Sequence, residues 1–509
     1  MAKTWDEKTC NLPLTTVIRV GPLPAAGLSD EIVIWAFGFC QTAQLNLRRH
    51  ARLPVQLMMA LVRLRPWIGS VLLPALLAGC ARYVPLPIKS DATASELSAR
   101  RLNDPKLARF LAAMGHPGPR WTITTLTLAA VYERPELRIA REKLAVARGA
   151  LTSATAIPNP VLGLSPTYNA AAGLPSPIKI GPVINFLISS FGARSASMAA
   201  ARSDIAASRA AIQTVAWQER GRVRDALLGV WQTRTEARLA EQSADNATVS
   251  LTVQSQRFTA GLVSAPELNL ARLSAEQARF AATEAVRRRR LAMAKLAGAI
   301  GMPKSALRGI KLDLSVFNRN DAPADLPALA RAALVDRPAV RAALARYAAA
   351  QDRLRAAIDR QYPAFTIGPG YRYDQGDNKF ILALSLPLPV FNQNQGPIAI
   401  ARARRRLAGA QFQAVQQRVL DQIVIARTDW RASEAADHAA EQAVRTAERA
   451  EVEAKRAFYA GATGRLRLLG ARQAAILARQ NALVAQTQAR VALGQLEDAL
   501  HHRFFRGQI

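Results

Sequence analysis

The chain has 509 residues, of which 50% are hydrophobic and 6% aromatic, and its formal net charge is +31. Apolar faces rich in alanine, with Arg, Gln and Glu between them, are typical of long, closely packed helices rather than of several ordinary globular domains. The Arg residues follow helical spacing and are not clustered with aromatic residues. We therefore interpret the charge as solvated helix faces and expect no nucleic-acid partner.

The cysteines all precede residue 81, so we expect no disulfide and no thiolate metal site in residues 81–509. Before Cys80, a basic patch, a short apolar run over 66–77 and small residues predict a secretory signal. The sequence Leu77-Ala78-Gly79-Cys80 resembles the bacterial lipobox. That resemblance implies that Cys80 becomes the lipidated mature N-terminus. Ala81, in place of the Asp that commonly retains lipoproteins at the inner membrane, favours the outer membrane.

Signal peptides lie at the N-terminus of a protein, so residues 1–79 are not expected in the mature chain. Met58 is a natural start, and we interpret 1–57 as a start-site artefact and 58–79 as the lipoprotein signal peptide. Residues 80–125 are predicted to form a lipidated tether with a short helix over Glu96–Met114.

A longer helix is predicted over Leu126–Ala156, where apolar residues recur at helical spacing until Ile157-Pro158-Asn159-Pro160 stops them. Two pairs of strands follow in the chain, each separated by a loop rich in turn residues. The prolines within them are tolerated at strand ends and bends. The predicted strands are Val161–Tyr168, Ile178–Ile188, Ala364–Tyr373 and Phe380–Val390.

After each strand pair a proline-free helical pattern runs for about 65 residues, which corresponds to ~100 Å at 1.5 Å per residue. These patterns cover Ala193 to Ser264 and Ile398 to beyond Gly461. Each then turns at an Ala-Gly pair and returns through a second helix. Small residues along one face predict that the two helices of each hairpin pack as an antiparallel coiled coil.

The chain also contains an internal repeat. Arg134-Pro135 returns as Arg337-Pro338, and Phe258-Thr259-Ala260-Gly261 returns as Phe458-Tyr459-Ala460-Gly461. This period is too long for a solenoid and predicts a duplicated half-domain. The expected divisions are a first repeat at 126–303, a linker at 304–326 and a second repeat at 327–509.

Four strands of 8–12 residues are long enough to cross a membrane, but four strands cannot close a barrel. An open sheet edge in lipid is very costly. The strands therefore either lie outside the membrane, or several copies of the chain share one barrel.

Over about residues 95–500 the chain resembles the TolC-type outer membrane efflux family. The duplication, the two strands per half, the segment Pro389-Val390-Phe391-Asn392 and the glycine-bearing hairpin tips carry the resemblance. It implies a homotrimer in which each chain adds four strands to one twelve-stranded β-barrel, below which long helices form a periplasmic tunnel. It also implies that the hairpin tips face a periplasmic adaptor protein and an inner membrane pump.

Gly261 and Gly461 permit the sharp turn between helices, because glycine adopts positive φ without strain. The small exposed residues around them are candidates for docking the adaptor: Gly261, Leu262, Val263, Ser264, Gly461, Ala462 and Thr463. Glu267 in the first tip corresponds to Arg467 in the second, where family members often carry acidic residues. These two are candidate gate charges, either paired with each other or separately solvated.

No catalytic or cofactor-binding constellation is evident. The chain has no phosphate-binding glycine-rich loop and no nucleophile elbow. Asp and Glu are interpreted mostly as scattered helix-surface residues, and the terminal pair His501-His502 as a solvated tail rather than a metal site. We expect no enzyme activity, no metal and no cofactor, since a passive conduit needs none.

The leading interpretation is an outer membrane lipoprotein that exports solutes as the channel of a tripartite system. The segment Leu496-Glu497-Asp498-Ala499-Leu500 and the strand exit look most like the heavy-metal-cation branches of the family. Drug efflux and type I secretion remain open. The rival interpretation is a lipid-anchored periplasmic coiled-coil scaffold whose strands form a small soluble sheet.

The lipobox generates a direct test. We expect Cys80→Ser to abolish incorporation of radiolabelled palmitate, because the thiol is the site of lipid attachment. A labelled Cys80→Ser protein would refute the anchor assignment.

Overall fold

The computed structural model describes residues 81–118, 120–169, 173, 176–189, 192–318 and 325–505. It divides into two units, residues 1–87 and residues 88–509. In the first unit, the described residues 81–87 are exposed and have no regular structure. The predicted signal peptide and Cys80 lie outside the described residues.

The second unit is mainly helical and repeats one order of elements twice: two short helices, strands, one very long helix and a returning helix. Its helices are α1 Ser90–Ala99, α2 Pro105–Ala113, α3 Ile123–Glu133, α4 Pro135–Thr155, α5 Ala193–Thr259, α6 Ala265–Ile300, α7 Leu326–Asp336, α8 Pro338–Asp359, α9 Gln395–Tyr459 and α10 Arg465–Leu500. Its strands are β1 Val161–Leu164, β2 Thr167–Tyr168, β3 Ile178–Ile180, β4 Pro182–Ile188, β5 Phe365–Asp374 and β6 Asp377–Ser385. The fold class and the duplication predicted from sequence are confirmed.

Two predicted helices are each divided by a proline. The single helix predicted over Glu96–Met114 is wrong, because α1 ends at Ala99, within that range, and α2 begins anew at Pro105. There the Asp104 carboxylate accepts a hydrogen bond from Lys106 N at 2.7 Å and caps α2. The helix predicted over Leu126–Ala156 likewise breaks at Pro135, which occupies the first position of α4, where its missing N–H costs nothing.

All strands join one antiparallel sheet in which β1 and β2 lie beside β3 and β4, then β5, then β6. β1–β4 and β2–β3 continue one register, so 161–168 and 178–188 behave as two strands with interruptions. Between β3 and β4, Gly181 lies so close to β5 that an added Cβ would be 2.3 Å from the Tyr371 carbonyl oxygen. The predicted extension of the last strand to Val390 is wrong: it ends at Ser385, ahead of two prolines that cannot donate to a ladder.

The long helices form two antiparallel hairpins, α5 with α6 and α9 with α10. α5 has 67 residues and α9 has 65, so the predicted lengths are confirmed. Alanine is the commonest residue at the buried positions of α5, and these small side chains let α5 pack closely against α4, α6, α8 and α10. Within the described part of the chain, we find no helix with both the length and the apolarity needed to cross a membrane.

The largest apolar core lies about halfway along α5 and α9, where these two helices meet α2, α3, the C-terminal ends of α6 and α10, and the segment between the repeats. Fully buried side chains at its centre come from distant parts of the sequence, among them Leu126, Leu227, Leu296 and Phe317. This core ties the first repeat to the second.

Beside this core, Glu497 of α10 is completely buried and accepts five hydrogen bonds from four residues. Arg220 and Arg224 of α5 donate to its Oε1, Arg224 at 3.1 Å. The backbone amides of Phe504 and Phe505 donate to its Oε2 at 2.7 and 3.0 Å, and Arg220 also donates to this oxygen. Burial lowers the pKa of Arg220 to about 10, so the guanidinium stays charged at neutral pH. Glu497 therefore joins the last helix, the C-terminal segment and α5.

Three acidic residues, Glu219, Asp437 and Glu497, are buried and are exceptions among the mostly surface-located carboxylates. One prediction is wrong: the terminal histidines are not a solvated tail, because the His501 ring stacks on Trp217 with ring centroids 4.0 Å apart. Burial lowers the pKa of His501, which favours the neutral ring that stacks there.

We expect Glu497→Gln to destabilise the protein by about 3 kcal/mol, because loss of one partner of a buried ion pair leaves the other charge uncompensated. Urea unfolding followed by circular dichroism measures this. The matched control is Glu276→Gln, which removes an exposed pair with Arg279 and should cost less than about 0.5 kcal/mol. Equal effects of the two substitutions would contradict a structural role for Glu497.

Candidate functional site

The two hairpin tips have the same backbone geometry. In the first tip, Gly261 has φ +72°, its amide donates to the Phe258 carbonyl at 2.9 Å, and the Leu262 amide donates to the Arg257 carbonyl at 2.8 Å. The second tip repeats this with Gly461 at φ +70° and an Ala462 amide donating to the Ala457 carbonyl at 2.8 Å. This pair of hydrogen bonds is the Schellman motif, which ends a helix at a left-handed glycine. Both glycines thus occupy the turn positions that the sequence predicts.

The tips differ where the returning helices begin. The Ser264 amide donates to the Glu267 carboxylate at 2.7 Å, and the two residues form a capping box at the start of α6. These hydrogen bonds from Ser264 lower the pKa of Glu267. In the second tip Gly464 and Arg467 occupy the same positions, and α10 starts without a side-chain cap.

The predicted docking residues lie together at each turn. Leu262 is 67% exposed, which is unusual for a large apolar side chain, and Ala462 is exposed at the corresponding position. Val263 and Thr463 are half-buried beneath them. The Thr463 hydroxyl oxygen is buried and has no hydrogen-bond partner within the described chain. The tips therefore present apolar and small side chains around a rigid turn, with one unsatisfied hydroxyl in the second tip.

The side chains of both candidate gate charges are exposed, and the Glu267 carboxylate accepts a hydrogen bond from the Ser264 amide. No ion pair joins Glu267 to Arg467 among the described residues of a single chain. Their pairing stays a prediction for an assembly of several chains.

The sheet has one face without charge. Side chains alternate between the two faces of a strand, and the register of the ladders assigns each residue to a face. We call the uncharged side the apolar face. Its large side chains are Leu162, Leu164, Tyr168, Ile178, Ile180, Ile184, Phe186, Ile188, Phe365, Ile367, Tyr371, Tyr373, Phe380, Leu382 and Leu384. Many are strongly exposed in the single chain, as Phe380 at 87% illustrates.

The opposite face, which we call the polar face, carries every charged residue of the sheet. It also holds Gly370 and Arg372 of β5 and the aliphatic residues Val183, Leu187 and Ile381. Asp374 accepts from Lys379 at 2.9 Å and lies 3.1 Å from the Lys179 ammonium group. A sheet with one apolar face and one polar face matches a wall between hydrocarbon and water.

The two outer edges of the sheet have no partner strand in the described chain. One edge consists of β1 and β2, and the other is β6. Each edge leaves a row of backbone N–H and C=O groups available for pairing.

The described residues hold no group of three or more His, Cys, Asp or Glu side chains arranged to bind a metal ion. Sequence reasoning missed two groups of residues: the ion network around Glu497 and the capping box of Ser264 and Glu267. The capping box has a recognisable signature in Ser264-Ala265-Pro266-Glu267, where Ser is followed three positions later by Glu. The ion network has no such signature, because its arginines lie 277 and 273 residues before Glu497.

The amino-acid sequence also matches a known protein family and a characterised relative. The sequence pattern of the family described as outer membrane efflux protein matches the chain twice, at residues 128–302 and 329–501. The cobalt-zinc-cadmium resistance protein CzcC of Cupriavidus metallidurans is 26% identical over 287 residues. These cover 55% of this chain and 65% of that protein, which is less than two thirds of its length.

Solved structures share the fold. The outer membrane protein VceC of Vibrio cholerae has a TM-score of 0.61 at 20% identity, covering 75% of this chain and 96% of that one. The CmeC outer membrane channel of Campylobacter jejuni has a TM-score of 0.59 at 14% identity, covering 83% of this chain and 94% of that one. At these identities the similarity concerns the fold alone.

Proposed function

This chain belongs to the outer membrane efflux protein family, and from that premise we propose that three copies form the passive outer membrane channel of a tripartite efflux system. In this assembly the sheets form a barrel in the outer membrane and the helical hairpins form a tunnel into the periplasm. The tips receive cargo from an inner membrane pump through a periplasmic adaptor. The observation that carries the proposal is a four-strand sheet with one uncharged apolar face and two unpaired edges.

The unpaired edges support a closed assembly of several chains. In hydrocarbon an unpaired backbone group costs several kcal/mol, so a spanning sheet has to close on itself. The edge formed by β1 and β2 differs from the edge formed by β6, so pairing between copies is head-to-tail and generates a ring. Three copies then supply twelve strands, an even number within the range of bacterial barrels.

The exposed apolar face favours the channel over the periplasmic scaffold. In a water-soluble protein, a contiguous patch of side chains such as Phe186, Phe380, Leu382 and Leu384 would be an aggregation hazard. In a barrel that face contacts lipid and the polar face lines the lumen.

The N-terminal assignments belong to the same proposal. Lipidation of Cys80 would attach the mature chain to outer membrane lipid. Residues 80–125 would then form the tether. The two repeats would cover 126–303 and 327–509, with a linker at 304–326. No catalytic step is required, because the inner membrane pump supplies the energy.

The cargo is proposed only as a class. The name of the CzcC relative refers to resistance to cobalt, zinc and cadmium, which makes heavy-metal ions one candidate. Drug export and type I secretion are the alternatives.

The decisive experiment combines assembly with conductance. Purified protein should run as a trimer on an unheated detergent gel and should conduct ions in planar lipid bilayers. A monomer that does not conduct would overturn the channel and favour the scaffold.

Adjacent residues of β6 provide a matched test of the barrel. Leu382 lies on the apolar face near the middle of the strand and Ala383 on the polar face, and both are exposed in the single chain. We expect Leu382→Arg to cost about 2–4 kcal/mol and to reduce the heat-resistant trimer, because it places a charge in lipid. Ala383→Arg should retain the trimer. Equal trimer yields would contradict the assignment of the faces.

The tips generate a separate prediction about docking. Leu262→Glu and Ala462→Glu place an uncompensated charge into the proposed contact with the adaptor, and we expect them to abolish crosslinking to it in cells. Trimer yield on unheated gels should stay normal, because both side chains are exposed. Unchanged crosslinking would remove the docking role from these residues.

A further inference from the structure

The two tips share a backbone but differ in charge. We call Lys455, Arg456, Arg465 and Arg467 the basic tip cluster; all lie within a few residues of the Gly461 turn. All four side chains are exposed. From residue 454 to residue 496 the sequence contains no Asp or Glu.

The four cations form no ion pairs with their neighbours in the described chain. The ion pairs of this hairpin that lie closest to the turn join Arg479 to Glu448 at 2.9 Å and to Glu451 at 3.7 Å. The exposed Glu453 lies two residues before Lys455, and among the described residues no ion pair joins it, or another carboxylate, to any of the four cations.

The first tip provides an internal comparison. There the positive charge of Arg257 is balanced by the negative charge of Glu267. The next acidic residues on α6 form ion pairs: Glu276 with Arg279 at 2.9 Å and Glu284 with Arg287 at 2.8 Å. The cationic excess therefore belongs to the second tip and does not simply follow from the high net charge of the chain.

We propose that the second tips make the periplasmic entrance of the channel selective for anions. This inference rests on the proposed function, because it requires the tips of several chains to meet around one opening. Three copies then bring twelve cations to the mouth, against three carboxylates from Glu453. The four positions span about one to two helical turns from the end of each hairpin, within a Debye length of about 10 Å at 0.1 M salt, so their potentials add at the opening.

A mouth lined with one sign of charge concentrates ions of the opposite sign. Free divalent metal cations are repelled from this mouth, whereas organic or inorganic anions are attracted. The cargo class that the entrance favours is therefore anionic, and a metal would pass this mouth as a complex with an anionic ligand.

Ion selectivity in planar bilayers tests the proposal without knowledge of the cargo or the pump. The reversal potential is measured across a KCl gradient. We expect the wild-type channel to prefer Cl⁻ over K⁺. We expect Gly464→Ser with Arg467→Glu to lower that preference several-fold, since it reverses one charge per chain and copies the capping box that the first tip already accommodates.

The matched control is Gly464→Ser alone, which adds the cap without a charge and should keep the wild-type reversal potential. Arg465→Gln with Arg467→Gln neutralises two charges without introducing a carboxylate and should shift selectivity in the same direction as the charge reversal. Unheated gels verify that each variant is trimeric.

A wild-type preference for K⁺, or an unchanged reversal potential in both charge variants, would overturn the inference while leaving the channel intact. Absence of any conductance in the wild-type trimer would instead contradict the proposed channel, and the selectivity with it.

Discussion

The constraint on which this structure depends is the pairing of backbone groups at the edges of its sheet. Each chain supplies a short antiparallel sheet with one uncharged face and two unpaired edges. Hydrocarbon does not hydrogen-bond to an open edge, so the sheet is stable in lipid only when copies complete each other. The proposed trimer, the lumen lined by the polar face and the position of the tips at the far end all follow from that closure.

The helical part meets a different requirement, which is length. Helices of 67 and 65 residues cannot be held by one compact core. Alanine contacts along α5 maintain close packing over its length, and the large core at mid-length joins the repeats. The buried Glu497 adds directional contacts there, and these hold the chain terminus against α5.

Patterns local in sequence were predictable. Proline and glycine positions, helical spacing and the repeat indicate the hairpins, the turns at Gly261 and Gly461, and the approximate positions of the strands. Helix breaks at Pro105 and Pro135 were missed because apolar spacing continues across them, although proline at the first helical position marks a new start. The Glu497 network was beyond sequence reasoning, because its arginines lie on a helix more than two hundred residues earlier.

The central claim is that the two outer edges of the sheet meet between chains. Single cysteines along β6, from Asn378 to Leu384, can each be combined with Leu162→Cys on the opposite edge. Within one chain these edges are separated by three strand spacings, about 14 Å, whereas a disulfide needs Cα atoms within about 7 Å. In cells the account predicts intermolecular disulfides that convert the protein into a covalent trimer on a denaturing gel. Absence of intermolecular products across the whole set would contradict it.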